Sequence, residues 1–488
     1  MPLLTPPDTL TAVQLARALR TRELSAREAL ADHLARIEAV NDEVNAVVTL
    51  VADQAEDAAD QADRRAMSSG KTGEPLPPLH GIPMTHKDTH ATRGVRTTSG
   101  SPLADLIPLH DEVILARLKA AGVVSTGKNN VPEFAAGSHT FNELFGATRN
   151  PHDLTRSAGG SSGGAAAALA AGIQALADGS DMGGSLRNPA SFCGVVGLRP
   201  SHGLIPMGPN LDPHAWLSVT GPMARTVDDV ALMMSAITEP SSAAAFADVL
   251  DARAVDSLEG LRVGVSVDLG LGLPVEAGPA EAVRRVASVL TELGAHVEDA
   301  SPRLTKADLV FDTTRAFAMA LALRGVVDGH REDGLVKPEV LWNVDRGLAL
   351  SGPDLMDAAV ARGRLDAAVR RWFGRFDLLL TVTSQVLPFA VEERYPTSIA
   401  GVEMGSYVEW MRSCSVISAT GCPALSLPAG FATSDRFDAR PAEHSPQHSP
   451  QRPGEHPPLP VGVQLVTPIG SDARLLRIAR TLEAALTP

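Results

Sequence analysis

Cysteine, positive charge and long apolar runs are all in short supply in this chain. Three cysteines in 488 residues, Cys193, Cys414 and Cys422, are too few for a disulfide framework. Cys193 lies in the apolar run 192–198, where a buried thiol is expected, and the context implied is a reducing cytoplasm. No stretch reaches the roughly 18 consecutive apolar residues of a membrane span. The opening MPLLTPPDTL has no basic segment followed by an apolar core, so neither insertion nor secretion is expected. With 43 Lys and Arg against 57 Asp and Glu, the net charge of −14 argues against a nucleic-acid or anionic-membrane surface. A small-molecule partner fits better.

What the chain does have is ordinary globular material. Hydrophobic residues make up 44% and charged residues 20%, enough to bury a large core and to exclude wholesale disorder. The length fits two or three domains, or one large α/β unit with additions. Two helices open the chain. The second starts at a capping box, Ser25 with Glu28, and carries Leu30, Leu34 and Ile37 at helical spacing before Asn41. A polar helix is expected over about 50–67, followed by the loop SSGKTGEPLPP.

From Gly81 to Leu204 short apolar stretches alternate with Gly/Ser turns and an Ala-rich helix, 165–171, that starts on a glycine run and presses close against its neighbours. Strands are expected at 261–267, 376–383, 423–430 and 460–468, with an amphipathic helix over 281–295 ended by Gly294 and a helical region over 304–374. Residues 431–459, rich in Pro and His with the tandem HSPQHSPQ, read as a flexible surface insertion. Its His444, His448 and His456 are candidate metal ligands, with nothing else to support them. The division expected is a helical segment, 1–70, packing on an α/β domain, 71–488, whose catalytic core is about 80–205.

Several constellations suggest chemistry and fail on inspection. GVVSTGK, 122–128, resembles a nucleotide-binding loop as far as Lys128, but Asn129 lacks the hydroxyl that magnesium needs and Pro132 interrupts the helix that should follow. Ser125 and Lys128 also spell Ser-x-x-Lys, and Lys71-Thr-Gly73 a companion element, in the wrong order for penicillin-recognising enzymes. Gly159-Gly-Ser161-Ser-Gly163 fits a nucleophile elbow, but NPHDLTRSA before it is not strand-like and His330 has no supporting context as a base. His86, Asp88 and His90 would share one face of a strand, an alternative set of metal ligands for a hydrolase without an identifiable fourth ligand.

Three segments remain, and together they have a chemical logic. GIPMTHKD (81–88) offers Lys87, GGSSGG (159–164) offers Ser161, and GSDMGGSLR (179–187) offers Ser185 after three backbone N–H groups, at Met182, Gly183 and Gly184. Amide hydrolysis needs a nucleophile, a base that later protonates the departing nitrogen, and donors for the oxyanion. These segments resemble, in that order, the catalytic elements of the amidase signature family. Similarity extends through GKNNVPEF, FGATRNPHDLTR, FCGVVGLRPSHG, GPMARTVDDVALM, ATGCPALSLPAG and GVQLV, and so covers most of the chain.

The resemblance implies an α/β fold with a large mixed central β-sheet covered by helices on both faces. It implies Lys87 as ultimate base, Ser185 as nucleophile, and Ser161, after a cis peptide bond from Gly160, as the relay between them. Ser162, Asp181 and Arg187 match supporting positions. To act as a base the lysine must be neutral, so a dry pocket is expected, with Asp88 turned to the backbone rather than to the amine. Trp216 is a candidate substrate-binding residue, and His214 is equally open. The implied activity is hydrolysis of a carboxamide to a carboxylate and ammonia or an amine, by a monomer or homodimer, with a small-molecule amide as partner and no metal or cofactor.

The family also contains the glutaminase component of a tRNA-dependent amidotransferase. This chain departs from that component over 204–221, and with only Tyr395 and Tyr407 it lacks the tyrosine-rich helical segment expected there. A stand-alone amidase is therefore the first reading.

Overall fold

The computed structural model describes residues 9–208, 212, 215–251, 257–433, 437–438 and 457–486. His214, most of the 431–459 insertion and its three histidines lie outside them.

The centre is a nine-stranded mixed sheet. Its strands run in the order His296–Asp299, Arg262–Val265, Leu378–Val382, Leu459–Val466, Ala424–Ala432, Val196–Arg199, Val219–Ala224 and Leu176–Asp181, with the short Phe437–Asp438 paired to Ala424–Ala432. The first three are mutually parallel and every later neighbour pairs antiparallel. Both faces are covered. Leu378, Leu380 and Val382 point into one apolar cluster, with helices Ala12–Thr21, Val227–Ile237, Ala277–Glu292 and Asp472–Leu486. Leu379, between them, points the other way, into a cluster with helices Ala307–Val327, Gly352–Phe373 and Arg412–Thr420. That alternation is the period-two signature of a strand buried on both sides, and each leucine taken fully out of water there contributes about 2 kcal/mol.

A second sheet has three strands, Val47–Leu50, Val124–Asn129 and Pro83–Lys87 in that order. It meets the edge strand Leu176–Asp181 through the Lys87 N–H, which donates to Asp178 Oδ1 at 2.8 Å. The strand Val47–Leu50 was not expected from the sequence; four residues between two helices acquire their pairing only from Val124–Asn129, far along the chain.

The helix Ala26–Val44 begins at the capping box Ser25/Glu28 but runs past Asn41, ending at Asn45 in the left-handed conformation. Asn41 stays helical and uses its side chain to accept from the N–H groups of Ala46 and Val47. The next helix, Ala52–Thr72, takes in the residues read as the start of a loop and stops at Gly73, φ 75°. NPHDLTRSA contains the strand Asp153–Ser157, paired with Arg149–Asn150, so the segment judged unlike a strand is one.

The Ala-rich helix, Gly163–Ala170, is wholly buried because small residues let it press on neighbouring backbone. A Cβ on Gly164 would stand 2.3 Å from Asn130 N, and one on Gly163 2.3 Å from Thr140 Oγ1. Only glycine fits at either position.

Candidate active site

Lys87 ends the strand Pro83–Lys87, and its side chain has no solvent exposure. Its Nζ meets three hydroxyls, Ser161 Oγ at 2.8 Å and Ser162 Oγ and Ser180 Oγ at 2.9 Å. Among the described residues no carboxylate touches it. Burial pushes the ammonium down to about 7, against the pull of Asp181, Asp178 and Glu112. Asp88 faces away, accepting from Thr98 Oγ1 at 2.5 Å and from the Thr98 N–H at 3.2 Å.

Ser161 and Ser162 stand on the turn between the strand Asp153–Ser157 and the helix Gly163–Ala170, and the Gly160–Ser161 peptide bond is cis. The base against Ser161 is Lys87; His330, the base an elbow would have needed, pairs with Asp333 on the surface. The loop carrying Ser185 follows the strand Leu176–Asp181 and leads into the helix Arg187–Cys193. The two serine loops touch, since the Ser162 N–H donates to the Ser185 carbonyl at 3.2 Å. Ser185 is half-buried, Ser161 buried.

Asp181 organises the nucleophile loop. Arg187 grips it in a bidentate pair, Nε to Oδ2 and Nη2 to Oδ1, both 2.9 Å, and Arg199 Nη1 reaches Oδ1 at 3.2 Å. Burial would raise its pKa, but the two guanidiniums hold the carboxyl far below the usual range. Arg187 continues to the Cys414 carbonyl, Gln464 Oε1 and Ser418 Oγ, tying the loop to the helix Arg412–Thr420 and the strand Leu459–Val466.

The same carboxylate corrects one expectation. The Gly184 N–H donates to Asp181 Oδ1 at 2.9 Å, so it is committed to a buried anion instead of standing free for an oxyanion. The N–H groups of Met182, Gly183 and Ser185 carry no such bond among the described residues. Gly184, φ 117°, also has to be glycine, because a Cβ there would stand 2.6 Å from Cys414 Cβ.

The metal alternative does not assemble. Burial keeps His86 neutral despite Asp178, and both ring nitrogens are engaged, Nδ1 with Asp178 Oδ2 at 2.6 Å and Nε2 with Ser125 Oγ at 2.8 Å. His90 pairs with Glu112 at 3.0 Å. Among the described residues no three His, Cys, Asp or Glu side chains are arranged around a common point for a metal ion. GVVSTGK gives a strand, Val124–Asn129, rather than a phosphate loop, and Lys128 is buried against the His90 carbonyl and Thr92 Oγ1.

Trp216 is 8% exposed, with the Arg362 guanidinium 3.6 Å above its ring. It lines a cavity of about 660 Å³ with Thr313, Phe317, Leu355 and Thr420, and none of Lys87, Ser161 and Ser185 belongs to that lining. Sequence reasoning missed Ser180 and Asp178. Alternation along the strand Leu176–Asp181 puts both on one face, which is the signal that was available.

A family model described as Amidase matches residues 28–476. A glutamyl-tRNA(Gln) amidotransferase subunit from Moorella thermoacetica is 36% identical over 97% of this chain and 96% of its own length. A solved 6-aminohexanoate cyclic dimer hydrolase, complexed with substrate, superposes with a TM-score of 0.82 at 27% identity over 100% of this chain and 98% of that one. A bacterial aryl acylamidase shares the fold, with a TM-score of 0.84 at 24% identity over 98% of this chain and 97% of that one. Among the described residues no helix is long and apolar enough to cross a membrane.

Proposed function

Because this chain belongs to the amidase signature family, we propose that it is an amidase, hydrolysing a carboxamide C–N bond to a carboxylate and ammonia or an amine through an acyl-enzyme on Ser185. The observation that carries this reading is the amine of Lys87, buried among three hydroxyls with no carboxylate in contact among the described residues. With its pKa near 7 a large fraction is neutral at neutral pH, and a neutral amine has a lone pair. Two hydroxyls then accept from its N–H groups while the third, on Ser161, donates to the lone pair.

As Lys87 takes the Ser161 proton, Ser161 takes that of Ser185, and the Ser185 oxygen forms its bond to the carbonyl carbon. The Met182, Gly183 and Ser185 N–H groups hold the oxygen that becomes negative. Ser161 returns a proton to the nitrogen, the C–N bond breaks and the amine departs. Water, deprotonated along the same relay, attacks the acyl carbon and regenerates Ser185.

One observation favours a second reading, that of a glutaminase component: the 36% identity to a protein named as part of an amidotransferase. The full-length superposition on a hydrolase of a cyclic amide supports the stand-alone amidase instead. The test is a panel of small amides with glutamine included, scored by released ammonia or amine on the isolated chain. Turnover of simple amides that falls at least 1,000-fold in both Ser185→Ala and Lys87→Ala is the expected result. Turnover of glutamine alone would move the assignment to the second reading, and activity surviving Ser185→Ala would end both.

A further inference from the structure

The helix Ala307–Val327 turns one stripe towards the nucleophile loop. Phe311 packs on Gly183, its Cζ 2.7 Å from where a Cβ would stand. One turn on, Arg315 brings Nη1 to 3.5 Å from Sδ of Met182, three residues before Ser185. Arg315 is 7% exposed, and among the described residues no carboxylate lies within 4.0 Å of it. Its Nη2 donates to the Tyr407 hydroxyl at 2.5 Å, while its Nε–H has no partner among the described residues.

The Tyr407 oxygen also accepts from Asn343 Nδ2. The orientation of that amide is fixed, because the same Nδ2 donates to the Glu339 carbonyl at 2.6 Å and a flipped amide would set two oxygens face to face. With two donors already on its oxygen, Tyr407 has to aim its own O–H elsewhere, and no acceptor for it lies among the described residues. Everything that converges here is a donor.

The surrounding acids are already taken. Asp308 is held by Arg412 at 2.7 and 3.0 Å, Glu339 by Arg394 at 2.5 and 3.0 Å, and Glu133 by Ser101 Oγ and the Lys337 N–H. Asp312, on the preceding turn, feels Arg315 electrostatically but makes no ion pair with it among the described residues. A buried guanidinium without a counter-ion is costly unless an anion arrives. The place is right for a ligand group, since the Tyr407 ring lies 3.9 Å from the Cβ position of Gly137. The next residue, Ser138, donates to the Gly160 carbonyl at 2.5 Å, on the loop that carries Ser161.

We propose that Arg315 and Tyr407 bind a carboxylate carried by the substrate, so that the enzyme's substrates are amides bearing a free carboxylate a few carbons from the scissile bond, such as monoamides of dicarboxylic acids or N-acyl amino acids. This rests on the amidase reading and narrows it. Arg315 supplies a planar pair of donors that matches the two oxygens of a carboxylate, and Tyr407 supplies a third.

The test compares matched pairs on the wild type, Arg315→Met, Arg315→Lys and Tyr407→Phe: glutaramate against pentanamide, and N-acetylglycine against N-ethylacetamide. In the wild type one carboxylated member is preferred at least 10-fold in kcat/KM. Arg315→Met loses about 100-fold on that member, mainly in KM, and leaves its neutral partner unchanged; Arg315→Lys recovers part of the loss, and Tyr407→Phe loses about 10-fold, again on the charged member only. Equal losses on charged and neutral members, or no preference in the wild type, overturn the proposal while leaving the amidase reading intact. Should Arg315→Met fail to fold, Tyr407→Phe decides. Absence of any amide turnover that depends on Ser185 removes both readings together.

Discussion

The chemistry rests on what surrounds one nitrogen. Lys87 has three hydroxyl neighbours and, among the described residues, no carboxylate in contact, and its burial brings its pKa to about 7 where water would leave it near 10.4. Because the neutral amine is the active form, kcat/KM for a non-ionising amide rises with pH and levels off above about 7, and a pH profile of initial rates checks it. A midpoint near 10 would mean that the lysine is solvated in the working enzyme. Lys87, Ser161 and Ser185 were legible as residues, each lying in a glycine-bounded segment of distinctive composition. Ser180 was not, because its contact with Lys87 arises from the strand edge Leu176–Asp181 lying beside Pro83–Lys87, a neighbourhood no local spacing reveals. Gly184 was misjudged for a related reason: its flexibility can be read from sequence, but the carboxylate that occupies its N–H arrives from Asp181 through the fold of the loop.

At the level of elements, strands buried on both faces and amphipathic helices were the readable parts, and short pairings between distant segments were not. Val47–Leu50 and Asp153–Ser157 carry too few residues to show a period, and both exist because a partner strand is presented to them. The Ala-rich helix is the element the site depends on most, since it begins one residue after Ser162 and packs directly on backbone. A Cβ on Gly164 would meet Asn130 N at 2.3 Å and Asn130 O at 2.6 Å, neither of which can rotate away. Gly164→Ala should therefore lower the unfolding free energy by about 1–3 kcal/mol in a denaturant titration, as overpacking does. An unchanged midpoint would show that the helix has room to move.

Across the whole molecule, buried charge is concentrated at a few nodes with different consequences for pH. Asp181 with Arg187 and Arg199 joins the nucleophile loop to the sheet and to the helix Arg412–Thr420. Glu483 lies far from it, on the helix Asp472–Leu486, accepting from the Val227 N–H at 3.0 and 3.2 Å. Burial, with Asp228 and Asp229 nearby, raises its pKa to about 8. Between pH 4 and 8 the folded chain holds this proton more tightly than the unfolded one, so stability from this group is full below pH 4 and is lost as pH rises through 8. Glu483→Gln should raise the thermal midpoint by several degrees at pH 8 and change it little at pH 4; the opposite ordering would contradict the assignment. Activation of Ser185 through Ser161 by an uncharged Lys87 can be read out with a fluorophosphonate probe followed by peptide mapping. A single adduct on Ser185 is expected, absent from Ser185→Ala and formed at least 100-fold more slowly in Lys87→Ala; an adduct on Ser161 or Ser125, or labelling of Ser185 at the same rate without Lys87, would refute that activation.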